Sequence, residues 1–258
     1  MNYPIRMGKY CCLLLLVPTL LCSQMNESDS LNFKANLSLT GFWQGGNVET
    51  LIFRAKAELS FKPWKNWVVK TWNSYVYLVV GQEKADEDIL SLNFLYLNPQ
   101  RKVYPLLLGF VSTNFRREID LRYLFGAGVT FQILNKKEHW LKLSLTSEYE
   151  RTDFSSALFN RSQFNGDPTI NTLRATLWIN GKYTLFKDKL VLSHESYFQP
   201  SLETGANYRW LADLGLELPV WKFLNVKVNY LHTFESVVIE GQEQEDTFLT
   251  FGFTFKNH

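Results

Sequence analysis

The sequence predicts an all-β fold: a transmembrane antiparallel β-barrel of about twelve strands behind a cleaved signal peptide. Three observations carry this: long runs of period-two alternation, tryptophans gathered beside one set of turns, and connections that alternate between short and long. Leu31 to Phe61 sets the pattern. Leu31, Phe33, Ala35, Leu37, Leu39, Gly41 and Trp43 alternate with Asn32, Lys34, Asn36, Ser38 and Thr40. After Gly45-Gly46-Asn47, Leu51, Phe53, Ala55, Ala57, Leu59 and Phe61 alternate with Ile52, Arg54, Lys56, Glu58 and Ser60. Period two on both sides of a Gly-Gly-Asn turn specifies a β-hairpin with one apolar and one charged face. Its strands exceed the usual five or six residues and suit the roughly 9 to 11 needed to cross a bilayer at a tilt.

Residues 1–24 read as the signal peptide, and 25–258 as the barrel. Arg6 and Lys9 open the segment, Leu13 to Leu21 form an apolar core too short for a membrane helix, and Cys22-Ser23-Gln24 supply the cleavage region. Acylation of Cys22 is the rival reading, disfavoured by the bulky Leu21 before it. Cys11, Cys12 and Cys22 all fall within this segment, so the remainder has no thiol chemistry. Removing Arg6 and Lys9 from the 27 basic residues leaves 25 against 25 acidic ones, which argues against a nucleic-acid partner. No later stretch has the roughly 18 continuous apolar residues of a membrane helix.

Alternation and turn signals place strands near 31–43, 50–61, 67–80, 89–97, 103–113, 119–134, 140–154, 170–185, 189–202, 208–218, 224–234 and 247–255. The third and fifth are apolar on both faces. Short connections fall at 62–66, 98–102, 135–139, 186–188 and 219–223; the alternate set includes longer ones at 81–88, 155–169 and 236–246. Outer-membrane barrels have short periplasmic turns and longer outer loops. Trp64, Trp67, Trp140 and Trp221 gather at the short turns, as an interfacial girdle requires. Charge divides the same way. The short turns are rich in Lys and Arg, whereas Glu83, Asp86, Glu87, Asp88, Glu240, Glu243, Glu245 and Asp246 make two outer loops acidic, able to concentrate cations or simply to remain soluble. Thr247, Leu249, Phe251, Phe253 and Phe255 give the last strand an outward stripe.

With the apolar set facing lipid, the opposite set lines the lumen: Arg54, Lys56, Glu58, Asp120, Arg122, Lys142, Glu148, Glu150, Arg174, Lys182, Glu195, Arg209, Asp213, Glu217 and Lys227. Their mixed signs allow lateral pairing. A register with Leu185 opposite Leu190 sets Lys182 near Ser193 and diagonal to Glu195. Twelve strands lie between barrels filled by side chains and those with an aqueous channel, so a structural ion-pair network and a narrow pore both remain open. Gly126, Gly128, Gly215 and Gly252 also point inward, making room or easing strand bending. A lipid hydrolase is the reading of a different class, because His194 and Ser196 share the outer face. Residues two apart on a strand are too distant for a direct nucleophile–base bond, however, and no catalytic, cofactor or metal constellation is visible.

Two stretches carry a family resemblance. Gly45-Gly46-Asn47-Val48-Glu49-Thr50 and Phe115-Arg116-Arg117-Glu118-Ile119-Asp120-Leu121-Arg122 with Gly126-Ala127-Gly128 resemble motifs of the bacterial outer-membrane β-barrel proteins grouped as domain of unknown function 481. Glu118 stands where that family often has glycine, and Val48 where it usually has threonine. Some members are described as salt-induced outer membrane proteins. The resemblance implies a barrel in the cell outer membrane, surrounded by its lipids and lipopolysaccharide and inserted by the barrel assembly machinery. It supplies no activity and no cofactor. The expected role is a structural envelope protein or narrow pore linked to salt or osmotic stress; the alternatives are a selective small-solute or cation channel and an outer-membrane lipid hydrolase.

Overall fold

A computed structural model describes residues 26–28, 32–45, 49–136, 139–186, 189–221 and 224–255. The signal peptide and the Gly46–Val48 portion of the first turn lie outside the described residues. Twelve strands follow one another: β1 (Phe33–Gln44), β2 (Thr50–Trp64), β3 (Trp67–Val80), β4 (Glu83–Leu97), β5 (Val103–Asn114), β6 (Ile119–Asn135), β7 (His139–Phe154), β8 (Thr169–Leu185), β9 (Leu190–Pro200), β10 (Tyr208–Trp221), β11 (Leu224–Glu235) and β12 (Glu245–Phe255). Each pairs antiparallel with the next, in the order β1 to β12 without a crossover. Phe94 of β4 touches Trp178 of β8, and Arg122 of β6 bonds Glu235 of β11. Contacts between strands so far apart in the sheet require it to be rolled around a common interior.

The predicted alternation sorts the wall. Leu107, Phe125, Ile133, Leu145 and Leu173 are exposed outward, whereas Leu124, Thr130, Thr146, Glu148 and Thr152 are buried inward. Outward rows of large apolar side chains of this kind are what a barrel in an outer membrane presents to lipid. The two-faced apolarity of β3 and β5 has a specific cause. Val68, Tyr104, Leu106 and Leu108 fill an apolar part of the lumen while Val69 and Leu107 face outward.

Two expectations need correction. Trp140 is 6% exposed and points into the lumen, so Trp64 and Trp221, both exposed, together with the edge-packed Trp67 form the short-turn girdle without it. It shares the even-numbered, inward parity of Lys142 and Glu148, which overrides its position beside a turn. Residues 81–88 are not a loop. Gly81 and Gln82 form a tight turn, both with positive φ, and β4 begins at Glu83. The acids Glu83, Asp86, Glu87 and Asp88 therefore lie on a strand, held in place by pairing with β3.

Gly126 and Gly128 face Glu148 and Thr146 on β7. A Cβ at Gly128 would run into the Leu145 carbonyl and lie 2.7 Å from the Thr146 Cα, and one at Gly126 would lie 2.8 Å from the Glu148 Cα. Both obstacles are backbone, so these glycines permit the close coiling of β6 over β7. Gly128→Ala is expected to destabilise the folded barrel by about 1–3 kcal/mol, read as a lower midpoint in urea unfolding followed by heat-modifiable gel mobility.

Candidate functional site

Side chains occupy the lumen in four layers. At the short-turn end, Asn26–Ser28 enters the barrel ahead of β1. The Glu27 carboxylate lies 2.8 Å from Lys142 Nζ and accepts a hydrogen bond from the Tyr104 hydroxyl at 2.7 Å. Lys142, 0% exposed, also donates to Asn26 Oδ1 at 2.6 Å, and Ser28 Oγ donates to the Pro99 carbonyl at 2.6 Å. The ammonium stands 5.3 Å from the centre of the Trp140 ring. Burial pushes the Glu27 carboxyl up, but the Lys142 and Lys70 charges and the bonds from Lys142 and Tyr104 outweigh it and lower it to about 2.

Above this, aromatic rings bridge the interior. Tyr104 packs edge-on against Tyr96 at 5.9 Å, Tyr96 stacks on Phe94 at 5.6 Å, Phe94 meets Trp178 at 6.3 Å, and Trp178 meets Tyr197 at 4.8 Å. The Trp178 indole N–H donates to Thr146 Oγ1 at 3.1 Å, and that hydroxyl donates to Glu148. A buried indole thus retains its polar partner.

The third layer is ionic. Glu150, 1% exposed, accepts from Arg174 Nε and Nη2 at 2.8 and 3.0 Å and from Arg209 Nη2 at 2.6 Å, with Arg122 Nε at 3.9 Å. Arg122 also makes a two-pronged bond to Glu235, at 2.9 and 2.8 Å. Arg117 reaches Glu235 at 2.9 Å and Asp246 at 2.7 Å. Four arginines from β6, β8, β10 and the β5–β6 turn thus interlock with acids from β7, β11 and β12. Planar guanidinium forks suit this bidentate pairing, and burial makes each partner dependent on the others. Glu148 is satisfied separately, by the Thr146 and Thr176 hydroxyls.

The fourth layer lies at the long-loop end, where two loops bridge. Phe159 and Ile239, from the β7–β8 and β11–β12 loops, form an antiparallel bridge, with Asn160 N donating to the Val238 carbonyl at 3.0 Å and Glu240 N to the Leu158 carbonyl at 2.9 Å. Ile119, Phe154, Phe159, Ile170, Val237 and Ile239 bury an apolar cluster beneath that bridge.

Of the lumen residues expected from sequence, Arg122, Glu148, Glu150, Arg174 and Arg209 converge in this interior, and Lys142 holds the N-terminal segment. Asn225 Nδ2 donates to Glu217 Oε2 at 3.0 Å. Lys182 lies opposite Ser193, with Glu195 opposite Asn180 and Asp213 opposite Glu195; the expected Leu185–Leu190 register is observed. The side chains of Arg54, Lys56, Glu58 and Lys227 lie outside the described residues, as do those of Phe251, Phe253 and Phe255. Gly252 is likewise outside that description. Asp120 is a correction. A bulge between Ile119 and Leu121 turns it outward, where it accepts from Ser155 Oγ at 2.8 Å. The acidic mouth also needs revision. Arg116 pairs with Asp86 at 3.0 Å, Arg117 takes Asp246, and Asp88 accepts from Phe115 N at 3.0 Å, so these acids tie elements together.

Sequence reasoning missed Glu235, Arg117, Trp178 and Glu27 as lumen groups. Arg117 belongs to the quoted Phe115–Arg122 motif, and Glu118 after it takes a left-handed φ of 53° in the turn before β6. The glycine that the resemblance leads one to expect at that position has this conformational cause. On the outer wall, His194 stacks with Tyr183 at 5.8 Å and lies 3.4 Å from its hydroxyl, while Ser196 faces Ala212 and Ile179.

A family model described as "Protein of unknown function, DUF481" matches residues 28–256. No curated protein matches the chain. Among solved structures, the NanC porin is similar at 10% identity and a TM-score of 0.50, covering 86% of this chain and 99% of that one. The translocator domain of the autotransporter NalP from Neisseria meningitidis aligns at 14% identity and a TM-score of 0.41, covering 87% of each chain.

Glu150→Gln leaves Arg174 and Arg209 without their buried counter-charge. The expected loss is about 3–5 kcal/mol, measured by equilibrium urea unfolding. At the other end, a carboxyl lowered from 4.5 to about 2 stabilises the fold fully above pH 4.5 and ceases to do so as pH falls through about 2. Glu27→Gln should therefore be less stable than the parent at pH 7, with the difference shrinking between pH 4.5 and 2 in parallel unfolding titrations.

Proposed function

The chain belongs to the DUF481 family and has the fold of an outer-membrane β-barrel, and from that premise we propose that it is a structural envelope barrel whose lumen its own side chains close. Residues 1–24 direct its export, and 25–258 insert with the short turns toward the periplasm, among outer-membrane lipids and lipopolysaccharide. The observation that carries this reading is the pair of ion contacts reaching across the interior, Arg122 to Glu235 and Arg209 to Glu150. A hydrated pore keeps its charges solvated, whereas these are buried and spent on one another. The apolar loop bridge above and the Glu27–Lys142 contact below support the same conclusion. In this reading the chain carries no catalytic chemistry, and its service is mechanical, consistent with a role under salt or osmotic load.

A narrow selective pore is the second reading. It is favoured by Lys182, Glu195 and Asp213, which are only half-buried on the lumen face of β8–β10. Planar-bilayer recording of the refolded barrel separates the two. The parent is expected to be silent, and Arg122→Ala combined with Glu235→Ala to give discrete steps. Steps of cation-selective conductance from the parent, with reversal potentials that shift when Glu195 and Asp213 are neutralised, would replace the structural reading with the pore.

A further inference from the structure

At mid-height the outer wall carries Ser147 on β7, His194 and Ser196 on β9, and one larger polar block that spans two strands. Thr71 and Asn73 on β3 face Asn93 and Ser91 on β4, as two directly paired rows of the same outward face. Apolar wall brackets the block on the same strands. Val69 lies below it on β3 and Tyr75 above, and Leu95 and Ile89 do the same on β4. The girdle residues Trp64 and Trp67 lie further toward the short turns. The block therefore faces the hydrocarbon, where no water can complete a hydrogen bond.

Its internal bonds are incomplete. Asn73 Nδ2 donates to Thr71 Oγ1 at 2.9 Å and Asn93 Nδ2 to Ser91 Oγ at 3.0 Å. Each amide then retains a second N–H and a carbonyl oxygen, and among the described residues neither meets a further partner. Exposed amides in a medium without donors or acceptors cost several kcal/mol, and polar side chains at membrane depth characteristically face other protein. Small residues border the block on both sides: Ala57 faces Asn73, and Gly109 faces Asn93. A Cβ at Gly109 would meet nothing within 4 Å, so a neighbouring backbone can approach there.

We propose that the Thr71–Asn73–Ser91–Asn93 block is a membrane-embedded interface that binds a second copy of this chain. The occupant follows from the hydrogen-bonding pattern. Lipid tails offer neither donors nor acceptors at this depth, while an amide facing its own two-fold mate finds both, its N–H meeting the mate's carbonyl and the reverse. Such an isologous contact closes on itself and makes a dimer. The inference rests on the membrane residence of the wall but not on whether the lumen is closed.

The test is the association of fluorophore-labelled full chain in phosphatidylcholine vesicles, with energy transfer followed as lipid is added to dilute the protein. Flotation with the vesicles and heat-modifiable gel mobility check insertion and folding separately. The parent is expected to dimerise. Asn73→Leu with Asn93→Leu should weaken the dimer by about tenfold or more while leaving the barrel folded. Gly109→Phe should do the same by bulk alone, since its side chain enters space that the monomer leaves open. A parent that inserts, folds and stays monomeric at every dilution would overturn the proposal. So would variants that dimerise as tightly as the parent, because the interface would then lie on another part of the wall.

Discussion

Everything in this molecule depends on the requirement that backbone N–H and C=O groups be paired where no water can reach them. In hydrocarbon that requirement rules out open strand edges and favours an antiparallel sheet rolled on itself. Once the sheet is rolled, period-two alternation stops being a matter of solubility and becomes a partition between two media. Odd-numbered positions of β7, such as Leu143 and Leu145, meet lipid, while Thr146, Glu148 and Glu150 meet the interior. The strands are 11 to 17 residues long because they must carry this partition across the whole bilayer and into the ends of the barrel.

The interior then poses a second problem, because twelve strands enclose more space than a single layer of short side chains can occupy. The chain uses different chemistry at each height. Rings fill the middle, where Phe94 and Trp178 meet from facing strands. Long guanidinium side chains reach across the upper lumen, and they succeed there because one guanidinium fork can bond several acceptors, as Arg117 does with Glu235 and Asp246. Arg122 illustrates the economy of the arrangement: its terminal nitrogens hold Glu235, and its Nε bonds Thr152 Oγ1 and approaches Glu150. A lysine ammonium, a point charge, could not bridge in this way. Lysine appears instead at Lys142, where one charge anchors one short segment.

Much of this was legible in the sequence. Strand positions agree closely with the alternation, and the β8–β9 register followed from matching Leu185 to Leu190. The charged face was also visible, so Arg122, Glu150, Arg174 and Arg209 could be placed in the lumen. Their partners were harder to see because pairing across a lumen obeys no sequence spacing. Glu150 meets Arg209, 59 residues away, and Arg122 meets Glu235, 113 residues away. Local rules also failed where the backbone departs from strict pleating. The bulge at Asp120 turned an expected lumen residue outward, and the Gly81–Gln82 turn converted an apparent acidic loop into the start of β4. Trp140 was misplaced for the opposite reason, since proximity to a turn was given more weight than strand parity.

The same partition explains why a polar block on the outer wall carries more information than any charge inside. An inward Arg or Glu always has candidates within reach, because the lumen gathers side chains from every strand. An outward Asn at mid-height has only its two neighbouring strands and whatever lies in the membrane. On β3 and β4 those neighbours supply one hydroxyl each, through Thr71 and Ser91, and beyond them lie Ala57 and Gly109, which have no polar side-chain atoms. The remaining amide capacity must therefore be met by something other than this wall. That deficit distinguishes the β3–β4 face from the faces of β5 to β8, where large apolar side chains dominate and Ser147 is a single small hydroxyl among them.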